Sequence, residues 1–568
     1  MKELKHVMFF SKYIKSQWKV LLVILVLILI SAGIGLYIPM INSNLVDNGI
    51  LAGNFEYVLN ISVIYALVYF IKGLLGILIS GLTAILNSRI RFKLNQDIFR
   101  DIERFKLSYF QYNDPTMIYN NISTDINNIS KLFDGSLFTV VTQILYLIGG
   151  IMCLFFINYK MALVAILVIP IKYFSISFFA KKNKRLTKEY IDINTKYAGW
   201  FQDSIRGIRD IKLFNLYKKK EDEFDEIKRG FIKYERAFSI ISSVKEEFDN
   251  FNTQFIVIII YILGTFFILR DELTYGSIVA FLTYLVYVST PISYLTNIKY
   301  IFSSITPSAQ RLKQLFEAEK EIYNQKKVIQ SLNANSTIEF KGVSYSYSDN
   351  KIIDNLDVIF KLGQVVAIVG DNGSGKTTIG NLLMRFIEPD EGIILLNDVD
   401  IKEIDLNLYR DMFAVADMKS HLFQEKLIYN INIKDKKLEN FKDIIKRSQL
   451  EDSEHVLNRS ELKLHEANVS SGERQKIIIA RTLLADKPIS IFDEATANLD
   501  KKSKRSIENS IGKSSERTLN IIITHSKDIL QYVDTIVMIH SGKAKCFDNF
   551  KEAINDKEFN KLFVNDYV

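Results

Sequence analysis

The chain has 568 residues, enough for roughly two to four domains; at 48% hydrophobic it is too apolar for one soluble domain, and at 24% charged it is too polar to be wholly embedded. Its formal charge of +8 at pH 7 raises nucleic acid or anionic lipid as partners. The lysines and arginines gather in the connections between apolar runs, where a membrane protein carries them, so no nucleic-acid partner is expected.

The segment Met1–Lys19 is basic and aromatic and leads into an apolar run longer than a signal h-region, so no cleavable signal is expected. Six runs of about 20 residues or more are long enough to cross a hydrocarbon core as helices. They are Val20–Ile41, Tyr57–Leu86, Gly135–Tyr159, Met161–Ala180, Phe251–Leu269 and Leu273–Asn297. Their all-round apolarity excludes ordinary soluble core helices and makes the lipid bilayer a partner. Lys72 and Lys172 break two of these runs. Each either snorkels or pairs with a polar neighbour, or lines a cavity that favours anionic or polar cargo.

Asn42–Glu56 holds acidic residues and no lysine or arginine, whereas the N-terminus, Arg89–Asp134 and Lys181–Asn250 are rich in both. That bias expects both termini and the two long connections on the cytosolic side. The long connections carry helical periodicity, with Ile90, Leu94, Ile98 and Ile102 on one face. They read as helical arms, with tips near Tyr112–Tyr119 and Ser204–Phe214. The two cysteines, Cys153 and Cys546, offer neither a disulfide framework nor a metal spacing.

The second half carries the chemistry. An apolar strand, Gln364–Val369, runs into Gly370-Asp371-Asn372-Gly373-Ser374-Gly375-Lys376-Thr377, and a helix begins near Thr378. Glycines let backbone N–H groups curl around phosphate oxygens, and a helix N-terminus adds favourable electrostatics. Gly370, Asn372, Gly373, Ser374, Gly375, Lys376, Thr377 and Thr378 are therefore expected to hold ATP, with Lys376 on the β- and γ-phosphates and Thr377 on Mg²⁺. About a hundred residues on, Val469-Ser470-Ser471-Gly472-Glu473-Arg474-Gln475 opens a helix running through Ala480-Arg481. A strand, Ile489–Phe492, then ends in Asp493-Glu494, followed by Ala497-Asn498-Leu499-Asp500.

These motifs together resemble the nucleotide-binding domain of an ATP-binding cassette (ABC) transporter, and six spans with two long cytosolic arms resemble its exporter class. The resemblance implies an all-α six-helix transmembrane domain over 1–320, a linker over 321–335 and an α/β P-loop ATPase domain with a helical subdomain over 336–568. It implies that Asp493 joins Thr377 as a metal ligand, that Glu494 acts on the attacking water, and that His525 contacts the γ-phosphate. It sets Tyr347 against adenine, with Tyr345 as the alternative. Ser470, Ser471, Gly472 and Glu473 fall where the family caps ATP held by a second subunit. One cassette with six spans thus implies a half-transporter that dimerises, hydrolyses ATP and exports a hydrophobic or amphipathic cargo (peptide, drug or lipid) across a bacterial plasma membrane. The segment before Val20 is too short for the peptidase domain of some peptide exporters, so leader cleavage is not expected. The alternative is a heterodimer subunit with a regulatory or channel-like role and little net transport.

Four positions depart from the family pattern. The usual Leu-Ser-Gly-Gly-Gln signature is Val469–Glu473, in which Ser471 adds a β-carbon that restricts φ > 0 or close backbone approach. Glu473 reads as a mild change. Met418 stands at the position of a Mg²⁺-contacting glutamine and cannot donate a hydrogen bond, leaving Asp417 beside it as the alternative oxygen donor. Lys463–Asn468 replaces a glycine-rich loop, and Asn498 stands for the usual Ser or Ala. A homodimer that tolerates this signature and a heterodimer whose partner supplies a better one are both open.

Overall fold

The computed structural model describes residues 9–113, 115–131, 134–323, 332–347, 350–435, 441–451, 469–512 and 518–563. These form two compact units, one of residues 1–103 and 115–318, the other of residues 104–114 and 319–568.

The described residues of the first unit form helices and the turns between them. Five helices among the described residues are long and apolar enough to cross a membrane, within Trp18–Ile50, Phe55–Ile102, Ser136–Ile157, Tyr217–Ile268 and Tyr275–Ile292. The expected span Met161–Ala180 is helical in Tyr159–Ile166 and again in Val168–Arg206, with Leu167 between them in a right-handed helical conformation, and several of its side chains lie outside the described residues. Four helices continue well past membrane length: Phe55–Ile102 has 48 residues, Val168–Arg206 39, Tyr217–Ile268 52 and Tyr275–Phe316 42. At 1.5 Å per residue the longest reaches about 78 Å, far beyond the roughly 30 Å of a hydrocarbon core.

The periodic face of the first arm is buried: Ile90, Leu94 and Ile98 are at most 3% exposed and pack with Ile126, Ile129, Ile305 and Leu312. Beside this cluster, buried Asp125 accepts two bonds from the Arg311 guanidinium, fixing helix Pro115–Ser130 on helix Tyr275–Phe316. At the other end of the bundle Asp47 accepts from the Gly276 amide (2.7 Å) and the Thr274 hydroxyl (2.7 Å), at the start of that same long helix. A second core forms around Met161, Ile260, Phe281, Tyr284 and Val288. Lys72 lies 5.9 Å from the Tyr69 ring centroid and 5.8 Å from that of Tyr146, so aromatic faces shelter its charge. The Lys172 side chain lies outside the described residues.

Short helices occur at both turns of the arms. The second, Ile208–Leu213, falls inside the expected Ser204–Phe214. The first is Leu107–Tyr112, upstream of the expected Tyr112–Tyr119. The reason is Pro115: its fixed φ and missing N–H suit the first position of a helix, and the returning helix starts there.

The second unit is α/β. Its strands are β1 (Thr337–Tyr347), β2 (Asn350–Lys361), β3 (Val365–Gly370), β4 (Glu391–Leu396) and β5 (Val399–Asp400), then β6 (Phe413–Asp417), β7 (Ile489–Asp493), β8 (Leu519–Ile523), β9 (Thr535–His540) and β10 (Lys543–Phe547). One antiparallel sheet runs β2-β1-β4-β5, and a six-stranded sheet runs β10-β9-β3-β8-β7-β6. In the larger sheet β9, β3, β8, β7 and β6 are parallel, which requires cover on both faces. Two separate apolar cores supply it. Of the expected helical subdomain, Leu427–Ile431, Phe441–Arg447 and Ser471–Ala485 are described.

Residues 104–106 and 319–321 meet in this unit. Glu321 donates its amide to the Arg104 carbonyl at 2.7 Å, and its carboxylate takes both guanidinium nitrogens of Arg410 at 2.7 Å. Lys106 pairs with Glu319 at 2.7 Å on the surface.

Glu508, 1% exposed on helix Lys501–Gly512, accepts from Thr496 at 3.2 Å, and burial raises its carboxyl above the usual range. A raised folded-state value means that this group favours folding most at low pH, and the contribution is lost as pH rises through the folded value. Thermal unfolding of the Glu508→Gln variant should therefore lack this loss, so that its midpoint gains on the wild type as pH is taken upward from about 4. A gap between the two that is constant across this range would refute the assignment.

Candidate functional site

All six residues of β3 are buried, and the glycine loop leaves it between β8 and β9. Gly375 precedes helix Lys376–Leu383 with φ +103°, and a β-carbon there would lie 2.6 Å from Ile353. Only glycine fits that combination of backbone and space. Lys376 is 6% exposed and folds back to donate to the carbonyls of Gly370 (2.9 Å) and Asp371 (2.8 Å). Burial lowers its ammonium from the ordinary value, and Glu494 and Asp493 oppose that shift. Inside the loop the buried Ser374 hydroxyl has no protein partner. An orphaned hydroxyl, a buried lysine and a cradle closed to side chains fit a polyphosphate.

β7 delivers the carboxylates. The Thr377 hydroxyl donates to Asp493 at 3.1 Å, so the two expected metal ligands are adjacent. Burial raises the Asp493 carboxyl above the usual range; the bond from Thr377 works against this, and the charges of Glu494 and Asp417 add to it. Glu494 holds φ +48°, a left-handed conformation uncommon outside glycine, asparagine and aspartate, anchored by its amide on the Ile523 carbonyl at 2.9 Å. Its carboxylate lies 3.4 Å from Nε2 of His525, so the expected pair meets. Thr378 is buried on the helix behind the loop, and Asn372 and Gly373 are exposed at its rim. Among the described residues no group of three or more His, Cys, Asp or Glu is arranged to hold a metal unaided. Thr377 and Asp493 therefore suit a cation that also takes oxygens from phosphate and water.

A cavity of about 580 Å³ opens beside these groups, lined among others by Thr377, Asp417, Met418, Asp493, Glu494 and Phe110. Asp417 sits opposite Asp493 in the parallel register of β6 and β7. Met418 is 48% exposed at the cavity, and Ser420 donates to Asp417. Tyr345 packs against the core, while Tyr347, at the end of β1, meets it edge-on with ring centroids 5.0 Å apart.

The serine/glycine turn differs from its sequence reading. Ser470 is the N-cap of helix Ser471–Ala485, so Ser471 takes the first helical position and its β-carbon meets no positive-φ constraint. Glu473 has a defined role at this turn. Its carboxylate accepts from the Ser470 amide (2.9 Å) and hydroxyl (2.8 Å), while its amide donates to the Ser470 oxygen at 3.3 Å. This closes a capping box. A β-carbon on Gly472 would come within 3.3 Å of the Asn498 carbonyl, and the Asn498 amide donates to Gln475 at 3.1 Å. The segment Lys463–Asn468 lies outside the described residues.

Two arginines passed over in the motif reading tie this helix to the loop after β6. Arg474 donates to the Ser420 carbonyl at 3.1 Å. Arg481 reaches the Asn430 carbonyl at 2.7 Å and the His421 carbonyl at 3.0 Å. Charge at positions 474 and 481 was the only signal in the sequence, and charged helix residues are usually solvated.

The fold and site are those of a P-loop ATPase that follows a bundle of membrane-length helices. The ABC transporter transmembrane region family matches residues 21–292, and the ABC transporter family matches residues 353–497. The chain belongs to the ABC transporter family, as an ATP-hydrolysing, multi-pass membrane half-transporter with one domain of each kind. It is 26% identical over 497 residues to an ATP-dependent lipid A-core flippase of Wigglesworthia glossinidia brevipalpis, covering 86% of this chain and 85% of that one. An uncharacterized ABC transporter ATP-binding protein of Bacillus subtilis is 24% identical, covering 96% and 92%. A bacterial Atm1-family ABC exporter with ATP bound shares the fold, with a TM-score of 0.82 at 19% identity over 97% of this chain and 100% of that one.

Replacing Arg481 by Ala leaves the Asn430 and His421 carbonyls without these donors. The thermal unfolding midpoint should fall, with a stability loss of about 2 kcal/mol. Arg481→Lys should recover only part of it, since a single ammonium does not reproduce the planar fork. Full recovery by lysine would refute the geometric role.

Proposed function

We propose that this chain is one half of an ATP-driven exporter, with both termini and the ATPase unit on the cytosolic side of a bacterial plasma membrane. The observation that carries the proposal is the convergence of Lys376, Thr377, Asp493, Glu494 and His525 at the end of buried strands. In this reading the loop amides and Lys376 bind the ATP phosphates, and Tyr347 stacks on adenine. Thr377 and Asp493 hold Mg²⁺, which supplies charge neutralisation on the phosphates when bound. Glu494 orients the attacking water and takes its proton, and His525 keeps the Glu494 carboxylate in place and meets the γ-phosphate side. The cargo is hydrophobic or amphipathic; the name of the lipid A-core flippases favours an amphipathic lipid.

Glu494→Gln tests the chemistry. It should cut ATP hydrolysis by about 10²–10³-fold in reconstituted protein while ATP binding persists. Retained Glu494-independent hydrolysis would overturn the assignment.

The Glu473 contacts favour a heterodimer as a second reading. Ser470 and Gly472 are the groups offered to a partner's ATP, and here a carboxylate already holds the Ser470 amide and hydroxyl. That negative charge opposes a γ-phosphate at the same helix N-terminus. In a homodimer both sites carry the penalty, so Glu473→Gln should raise ATP turnover by about threefold. In a heterodimer whose partner brings the working signature, the same change in the co-purified complex should leave turnover unaltered.

A further inference from the structure

The helix that starts at the glycine loop, Lys376–Leu383, is held at its far end as well. It closes through left-handed Arg385 (φ +53°), and the amides of Arg385 and Phe386 bond back to the carbonyls of Leu382 (3.1 Å) and Asn381 (2.9 Å). Helix ends of this kind ordinarily place glycine at the left-handed position. Here contacts from one short helix, Leu406–Arg410, hold three successive carbonyls instead. The buried Tyr409 hydroxyl donates to Leu383 at 2.6 Å. Arg410 donates from Nε to Met384 at 3.1 Å and from Nη2 to Arg385 at 2.8 Å, and its guanidinium lies 4.7 Å from the Phe386 ring centroid. Helix-end carbonyls form the negative pole of the helix, so a cation is favoured there.

Arg410 has a second set of partners in a distant part of the chain. Its Nη1 and Nη2 take the two carboxylate oxygens of Glu321 at 2.7 Å each. That carboxylate is 11% exposed, and the Tyr323 hydroxyl adds a third bond at 2.8 Å. Glu321 lies in the segment after helix Tyr275–Phe316; its amide reaches the Arg104 carbonyl, and Lys320 forms a β-bridge with Phe105. One guanidinium therefore ties the segments that leave two long helices to the helix whose first turn carries Lys376 and Thr377. Desolvation offsets much of what such a pair adds to stability, whereas its bidentate geometry fixes relative position. The neighbouring Lys106–Glu319 pair is exposed and constrains little.

We propose that Arg410 is a positioning residue for the ATP-driven cycle: through Glu321 it makes the segment after helix Tyr275–Phe316 follow the phosphate-binding helix, so that nucleotide held at Lys376 and Thr377 displaces that segment. The proposal rests on the exporter reading.

The chain carries its own reporter. Its two tryptophans, Trp18 and Trp200, both belong to the first unit, so their emission reads that unit and not the ATPase unit. The Trp200 indole donates to Glu223 at 2.8 Å and has the Lys220 ammonium 5.7 Å from its ring centroid, two charges whose displacement alters its emission. The parent protein for the test is Glu494→Gln, full-length and dimeric in nanodiscs, where bound ATP is not turned over. Adding ATP and magnesium should change its tryptophan emission. Adding Glu321→Gln should abolish that change while the calorimetric ATP affinity stays within about twofold, because Glu321 lies outside the nucleotide site. Arg410→Lys should weaken the response, since one ammonium cannot serve two carbonyls and both carboxylate oxygens. Glu321→Asp should keep part of it, and Lys106→Ala all of it. A full response in folded Glu321→Gln would overturn the proposal, as would an equal loss in Lys106→Ala. So would lost ATP affinity in Glu321→Gln, which reduces the pair to a support of the helix, or a parent that binds ATP without any change in emission. Where Glu321→Gln does not fold, Glu321→Asp carries the comparison, and a full response there overturns it. Hydrolysis is measured separately in protein that retains Glu494, so failure of the exporter reading and failure of this one are distinguishable.

Discussion

The ATPase unit depends on the burial of one short strand. β3 lies between β8 and β9 with every residue out of water, so its last residue is fixed in space and the glycine loop starts from a rigid point. Parallel pairing through β8 and β7 then sets Asp493 and Glu494 opposite that loop, and the turn after β8 brings His525 to the same edge. Ligands of open parallel sheets collect at the carboxyl ends of the strands for this reason: the loops there converge while the strands stay buried. The left-handed Glu494 is tolerated because the Ile523 carbonyl fixes its amide.

A second layer of contacts turns separate loops into one device. Arg474 and Arg481 connect the helix after the serine/glycine turn to the segment after β6, and Gln475 and Gly472 touch the loop at Asn498. These bonds join the helix after the turn to the segment that follows Asp417 and Met418. The Glu473–Ser470 box gives the turn a stable resting arrangement of its own. It occupies the Ser470 amide and hydroxyl, so the state of this turn depends on side-chain hydrogen bonding as much as on its glycine content.

The membrane unit handles polar groups in two ways. Lys72 is sheltered by the faces of Tyr69 and Tyr146, and Asp125 is matched by Arg311, so neither charge needs a ligand. Thr83 and Asn87 instead each bury an oxygen that has no hydrogen-bond partner among the described residues. The lysine in the apolar run attracts attention in a sequence, yet the less conspicuous threonine and asparagine have the unmet bonding capacity.

The sequence by itself determined whatever rests on local order: the apolar lengths of most spans, the buried face through Ile90, Leu94 and Ile98, and the glycine loop set between strand and helix. Spacing and periodicity carry these because they depend on residues a few positions apart. The Ser470-x-x-Glu473 capping box was also legible, since a serine three residues before a glutamate at a helix start is its sequence signature. The start of the returning helix at Pro115 marks how far position alone carries a boundary. Only the tertiary structure decided which distant groups meet. Glu321 finds Arg410, Arg481 finds His421, and Thr83 finds no one, because burial and partnership are set by packing between segments far apart in the chain.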